Sequence, residues 1–229
     1  EQERNWKRHI LPIIEWLVDN LSGIPDLDTI YVVTNDKFAA DFHAWSQSYK
    51  KDHPEFTFKI VNDGSTSDDD KLGGIGDINF VVTHENLSHT GLLIAAGDNL
   101  FTTPLGDFVK DARNTEVTVA VFDVGDTEAI KKYGHVAIDA EGIITRFEEK
   151  PKKPQGTLAA IALYYYSPAV LSLLRTYLAA GNNADQPGRF VQWLYTRKPV
   201  KTFQIKGQWL DIGSKETLEN ADRMLASPR

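Results

Sequence analysis

The chain has 229 residues, 41% of them hydrophobic and 25% charged, enough to bury a sizeable core as one large α/β domain or a domain with an extension. A formal net charge of -7 without clustered Lys and Arg argues against a nucleic-acid backbone as the main partner, because counterion release requires such clusters. The lack of cysteine excludes disulfides and thiolate metal sites and fits a reducing cytoplasm, and no apolar run approaches the length of a membrane span.

The acidic start Glu1-Gln2-Glu3 does not read as a signal peptide. Apolar residues at 10, 13, 14, 17, 18 and 21 then follow helical spacing, with Pro12 suited to a first turn and Gly23 and Pro25 ending the helix. Thr29–Val33 reads as a strand, Lys37–Lys51 as a helix with Phe38, Phe42 and Trp45 inward, and Phe56–Val61 as a further strand. Trp16, Trp45 and Trp193 sit on apolar helical faces and read as core. The polar, acidic stretch Asn62–Lys71 is long enough for a functional loop. It leads into Leu72-Gly73-Gly74-Ile75-Gly76-Asp77 and an amphipathic helix. Glycine at 73, 74 and 76 allows main-chain groups to approach a flat ligand such as a nucleotide base, although a flexible loop before a helix has the same composition.

Leu92-Leu93-Ile94-Ala95-Ala96 is a continuous apolar run that halts at Gly97-Asp98-Asn99. A strand buried on both faces reads this way, and open α/β sheets place their ligands at such carboxyl ends. Asp98 could hold Mg²⁺ there, while a plain strand-ending turn explains the same three residues taken alone. Pro104–Arg113 is predicted as a helix and Thr115–Asp123 as a strand. The alternation of strand and helix predicts a Rossmann-like α/β fold with a mostly parallel sheet. Tyr133–Asp139 and Gly142–Phe147 form a predicted hairpin, followed by the charged, proline-held segment Glu148–Pro154. Leu158–Tyr166, Val200–Lys206 and Gln208–Ile212 read as strands, and Pro168–Ala180, Arg189–Thr196 and Lys215–Leu225 as helices.

Asp211 supplies a second acid at a predicted strand end, followed by Gly213 and a helix N-terminus. If the two strands lie together, Asp98 and Asp211 could clamp one divalent ion carrying phosphate oxygens. Lys150 suits a substrate phosphate and Glu149 suits sugar hydroxyls, although a solvated charge run gives the same pattern. Tyr164-Tyr165-Tyr166 would alternate between the two faces of its strand, bringing one or two rings to a site or an interface.

The order Gly97-Asp98-Asn99, Tyr133-Gly134, Glu149-Lys150-Pro151 and Trp209-Leu210-Asp211-Ile212-Gly213 resembles the sugar-1-phosphate nucleotidyltransferases, including the glucose-1-phosphate thymidylyltransferases. The resemblance spans most of the chain, from about residue 10 to the end, and implies a single domain of that type. It implies transfer from a nucleoside triphosphate to a sugar 1-phosphate, giving a nucleoside diphosphate sugar and pyrophosphate. By resemblance, Asp98 and Asp211 would bind Mg²⁺, Lys150 the sugar phosphate, Glu149 and Gly134 the sugar, and the segment containing Gly73, Gly74, Gly76 and Asp77 the base. Tyr164 would lie near the sugar. A homo-oligomer is compatible with this family; a nucleic-acid or membrane partner is not expected.

Two departures qualify the resemblance. The family's opening strand and its Gly-x-Gly-Thr-Arg phosphate loop have no counterpart before His9, which puts triphosphate binding in question. Ile161-Ala162 stands where the family often has Thr-Gly beside the sugar. With that opening strand absent, Thr29–Val33 is expected to pair directly with Leu92–Ala96 or to receive a partner strand between them. The main rival is a non-catalytic relative that binds a nucleotide sugar or sugar phosphate as a regulatory or interaction subunit. A truncated or engineered chain is a second rival. Glycosyltransferases fit less well because an Asp-x-Asp pair is absent around Asp98, and a paired-carboxylate hydrolase has no signature here.

Overall fold

Helix and strand alternate through the first part of the chain in the order that its periodicity predicts. The computed structural model describes residues 13–27 and 29–226. Residues 13–19 are helical (α1), followed by β1 (Thr29–Thr34), α2 (Asp36–Tyr49), β2 (Thr57–Asn62), α3 (Gly74–His84) and β3 (Leu92–Ala95). Ile10, Leu11 and Pro12 of the predicted first helix, like Glu1–His9, lie outside the described residues. Asn35 caps α2 by accepting the Phe38 N–H at 3.3 Å. Trp16, expected in the core, is instead 41% exposed, whereas Trp45 is buried and stacks on Tyr49.

The remaining elements are β4 (Asn99–Phe101), α4 (Gly106–Ala112), β5 (Val117–Asp123), a short 3₁₀ turn at Ala129–Lys132, β6 (Gly134–Ile138), β7 (Ile144–Glu149), β8 (Leu158–Tyr166), α5 (Pro168–Ala179), α6 (Pro187–Leu194), β9 (Lys201–Gln204), β10 (Trp209–Asp211) and α7 (Lys215–Ala226). Pro168 and Pro187 open α5 and α6, where a missing N–H leaves no bond unmade.

The fold is α/β and Rossmann-like, with a mixed ladder in place of the expected mostly parallel one. β8 is the reason. It runs antiparallel to β5 along one edge, and on the other edge β6 covers its beginning and β3 its end, both also antiparallel. β9 returns parallel to β5, and β7 closes the hairpin with β6. The direct pairing expected between Thr29–Val33 and Leu92–Ala96 does not occur. β1 pairs in parallel with β2, β3 pairs with β8, and a cleft of about 860 Å³ lies between β1 and β3.

Strand alternation builds the core on both faces of β8. Ala159, Ile161 and Leu163 join one cluster with Val18, Phe101, Phe108 and Trp209, while Ala160, Tyr164 and Tyr166 join another with Ile75, Val119, Leu174 and Phe190. Tyr164 and Tyr166 thus stack on each other beneath α3, α5 and α6, and Tyr165 points to the opposite side.

Candidate active site

A three-residue strand pair sets the geometry at the carboxyl end of β3. β4 and β10 run antiparallel with Asp211 opposite Asn99, and the Ile212 N–H donates to the Asp98 carbonyl at 2.9 Å. The Asn99 side chain is buried between them. Its amide donates to Asp98 Oδ1 at 2.9 Å, and its oxygen accepts the indole N–H of Trp209. Trp209, ambiguous from sequence between packing and a site wall, is buried against Tyr133 with ring centroids 5.0 Å apart.

Asp98 is exposed and Asp211 half-buried. Burial, then repulsion from Asp98, pushes the Asp211 carboxyl above the usual carboxylate range, while the Tyr133 hydroxyl, Lys132 and Lys150 pull it back. Tyr133 is in turn held protonated by its own burial and by the two carboxylates. The structure therefore brings together two acids that are distant in sequence, and adds Asn99, Tyr133 and Lys132, whose parts sequence reasoning did not assign.

Glu149 and Lys150 reach the same region from β7. Glu149 lies within β7, opposite Gly134 of β6, and not in a solvated charge run. Burial raises its carboxyl above the ordinary value, and Lys150 and Arg189 oppose that rise. Two glycines leave room for it: a Cβ on Gly188 would come within 1.9 Å of Glu149 Oε2, and one on Gly134 within 3.1 Å. Gln192 accepts the Glu149 N–H at 2.9 Å, so α6 holds the β7 backbone at Glu149 from a distant part of the chain. Tyr164 is close enough for Glu149 to raise its hydroxyl pKa, after burial as the main cause. Lys150 is exposed, its N–H donates to the Tyr133 carbonyl at 3.0 Å, and it holds φ +47° directly before Pro151. That left-handed conformation is uncommon for a side-chain-bearing residue and is strained ahead of proline.

The glycines at the start of α3, which the sequence leaves open between a ligand approach and a loop, have a packing role. A Cβ on Gly73 would meet the Ala184 carbonyl at 2.7 Å, one on Gly74 the Pro187 ring at 2.9 Å, and one on Gly76 the Leu72 Cβ at 2.9 Å. The N–H groups of Gly74 and Ile75 donate to the Asp185 and Ala184 carbonyls at 3.0 and 2.8 Å. Those two donors are spent within the protein. Asp77, one turn on, lines the cleft with an Oδ1 that has no hydrogen-bond partner among the described residues. Burial, then Asp63, pushes its carboxyl up to about 6.

The chain belongs to the nucleotidyl transferase family. That family's sequence profile matches residues 7–227, nearly the whole length. Among solved structures the chain is similar to a Bacillus anthracis protein assigned as a glucose-1-phosphate thymidylyltransferase and solved with sucrose, at TM-score 0.76 and 19% identity over 95% of this chain and 84% of the other. It is also similar to a UDP-glucose pyrophosphorylase complexed with UDP-glucose, at TM-score 0.74 and 19% identity over 93% of this chain and 86% of the other. At that identity the likeness speaks to the fold. In this transferase-family chain the Asp98–Asp211 pair has the donor chemistry of a hard-cation site, two repelling carboxylates with oxygen ligands and no sulfur. Among the described residues no group of three or more His, Asp or Glu is placed to hold a metal. The pair thus fits Mg²⁺, which commonly uses one or two carboxylates and takes its other ligands from water and substrate phosphates.

Proposed function

We propose that this chain transfers a nucleotidyl group from a nucleoside triphosphate to a sugar 1-phosphate, releasing pyrophosphate and a nucleoside diphosphate sugar. The observation that carries the reading is the adjacency of Asp98 and Asp211, imposed by the β4–β10 pair, with Lys150 near enough to act electrostatically on Asp211. In such a transfer a phosphate oxygen of the sugar 1-phosphate attacks the α-phosphorus and the α–β bridging oxygen departs with pyrophosphate. Positioning and charge neutralisation supply most of the acceleration. Asp98 and Asp211 would hold Mg²⁺, which neutralises charge on phosphate oxygens. Lys150 pairs with the sugar phosphate, and Glu149, its backbone held by Gln192 and its carboxylate given space by Gly134 and Gly188, accepts from sugar hydroxyls. Asn99 and Tyr133 position the two acids. Asp77 and the segment before α3 face the base, with Asp77 as the polar contact.

A second reading is favoured by the use of the Gly74 and Ile75 N–H groups within the protein, which removes a main-chain cradle for a triphosphate at α3. On that reading the chain binds a sugar phosphate or nucleotide sugar without turning it over. The two separate in one assay: the chain, Mg²⁺, a panel of triphosphates and sugar 1-phosphates, and pyrophosphate as the readout. Release that falls at least about 100-fold on Asp98→Asn matches the loss of a charge-stabilising group. No release from any pair, with calorimetric binding of a nucleotide sugar retained, selects the second reading.

A further inference from the structure

One short segment, residues 183–188, touches both the start of α3 and the Glu149 carboxylate. On the α3 side the contact has no slack. The Asp185 and Ala184 carbonyls accept from Gly74 and Ile75, and the Asp185 carboxylate pairs with Lys71 at 3.2 Å. Pro187 then lies so close to Gly74 that a Cβ there would meet its ring at 2.9 and 3.1 Å, and the same proline lines the cleft. The next residue, Gly188, backs onto Glu149, where a Cβ would stand 1.9 Å from Oε2. Gly74 thus has no side chain where Pro187 sits, and Gly188 none where Glu149 sits. The two contacts are one peptide bond apart. The segment is anchored from behind as well: the Tyr177 hydroxyl donates to the Asn183 carbonyl at 2.7 Å, and the Asp185 N–H donates to Asn183 Oδ1 at 2.8 Å.

We propose that Pro187 is a positioning residue that sets the Glu149 carboxylate from the start of α3, so that one rigid dipeptide holds the nucleotide side and the sugar side of the site in register. The proposal rests on the reading of Glu149 as the acceptor for sugar hydroxyls and of the start of α3 as the base side. A proline ring fixes its own φ, so ring and backbone move as one body. Pressure on the ring from Gly74 therefore reaches Gly188, and close packing passes it on to Glu149. A ligand filling the cleft beside Gly74 meets the same ring. Occupancy of the cleft and the place of Glu149 are then coupled, and such coupling acts in both directions.

The test follows the Glu149 side chain itself, so its outcome is independent of any transfer activity. In protein carrying isotope-labelled glutamate, the Glu149 carboxyl resonance is identified by its loss in Glu149→Gln. Gly74 lies within α3 without a positive φ, so alanine suits its backbone and the added methyl presses chiefly on Pro187. Gly74→Ala should move the Glu149 resonance by more than its width. Pro187→Ala, which crowds nothing, should move it too. In the double variant the methyl takes up the space of the ring, and the resonance should return towards its parent position. Gly76→Ala crowds only Leu72 among the described residues and should leave the resonance in place. Affinity for those sugar 1-phosphates that bind the parent should fall about fivefold or more in each of Gly74→Ala and Pro187→Ala and recover in the double variant. A resonance unmoved in Pro187→Ala, no recovery in the double variant, or equal movement in Gly76→Ala overturns the proposal. A resonance that moves and recovers while sugar affinity stays constant upholds the link through Pro187 and overturns Glu149 as the sugar acceptor, so the two readings fail separately.

Discussion

Asp211 faces Asn99 across the β4–β10 ladder, and the Asn99 amide holds the neighbouring Asp98 carboxylate at 2.9 Å. One buried amide therefore links the Asp98 carboxylate to the Trp209 indole on the strand that carries Asp211. Its oxygen is committed to the Trp209 indole, so it cannot turn without stranding a buried donor. Asn99→Leu should cost about 1–3 kcal/mol in urea unfolding, the range for one buried group left without its partner. It should also weaken Mg²⁺ binding. A variant with the parent's stability would show that the amide has no such hold.

Ionisation of Asp211 is opposed by its surroundings. Its carboxyl pKa is raised by burial and by Asp98, so its stabilising contribution is present below the ordinary carboxylate pKa and lost as pH rises through the raised folded value. At neutral pH without metal, Asp211→Asn should therefore raise the thermal midpoint, a gain reduced by solvent screening of the half-buried carboxyl. Turnover should fall by about 100-fold or more. Lower stability at neutral pH would contradict the assigned strain.

The element order and the central acids were readable because long apolar runs and abrupt Gly-Asp endings carry local signals. Leu92–Ala95 and Leu158–Tyr166 are examples. Three-residue strands have too little periodicity to show, so the β4–β10 pair that positions Asp98 and Asp211 was not legible. Nor was the insertion of β8 antiparallel beside β3, since pairing depends on contacts between distant segments. Gly188 and Gln192 were missed for the same reason: their partner Glu149 lies far from them in the chain, and no local pattern links them. At Gly73, Gly74 and Gly76 the composition reads equally as a ligand approach or a loop before a helix, and the close contacts with Ala184, Pro187 and Leu72 are a further reason for glycine that no local pattern shows.

Gly188 provides a direct test of the Glu149 pocket. A methyl group there would meet the Glu149 carboxylate at 1.9 Å, and the carboxylate must move. Gly188→Ala should reduce kcat/KM for the sugar 1-phosphate about 10- to 100-fold, the scale of a lost hydrogen bond to a charged group. The nucleotide KM should change little. A rise confined to the nucleotide KM would remove Glu149 from the sugar side.

Asp77 predicts a pH dependence of stability. With its carboxyl pushed up to about 6 by burial and Asp63, its contribution is fully present below the ordinary value and lost as pH rises through about 6. Asp77→Asn should therefore be more stable than the parent by on the order of 1 kcal/mol at pH 7, discounted for partial exposure, and no more stable below pH 4. Urea unfolding at both pH values measures the difference. An equal gain at the two would trace it to packing and not to ionisation.

Lys150 combines a strained backbone with an ammonium that acts on both Glu149 and Asp211. The two properties separate by substitution. Lys150→Gly removes the penalty for φ +47° before Pro151, about 1–2 kcal/mol, at an entropic cost of roughly 0.5–1 kcal/mol, and so should be slightly stabilising. Lys150→Ala keeps the strain and removes the charge. Both variants should lose transfer to a similar extent, with the larger effect on the sugar 1-phosphate KM, while only the glycine variant gains stability. If the glycine variant alone loses activity, the strained backbone is what the site needs. If neither loses it, the ammonium has no part in binding the phosphate.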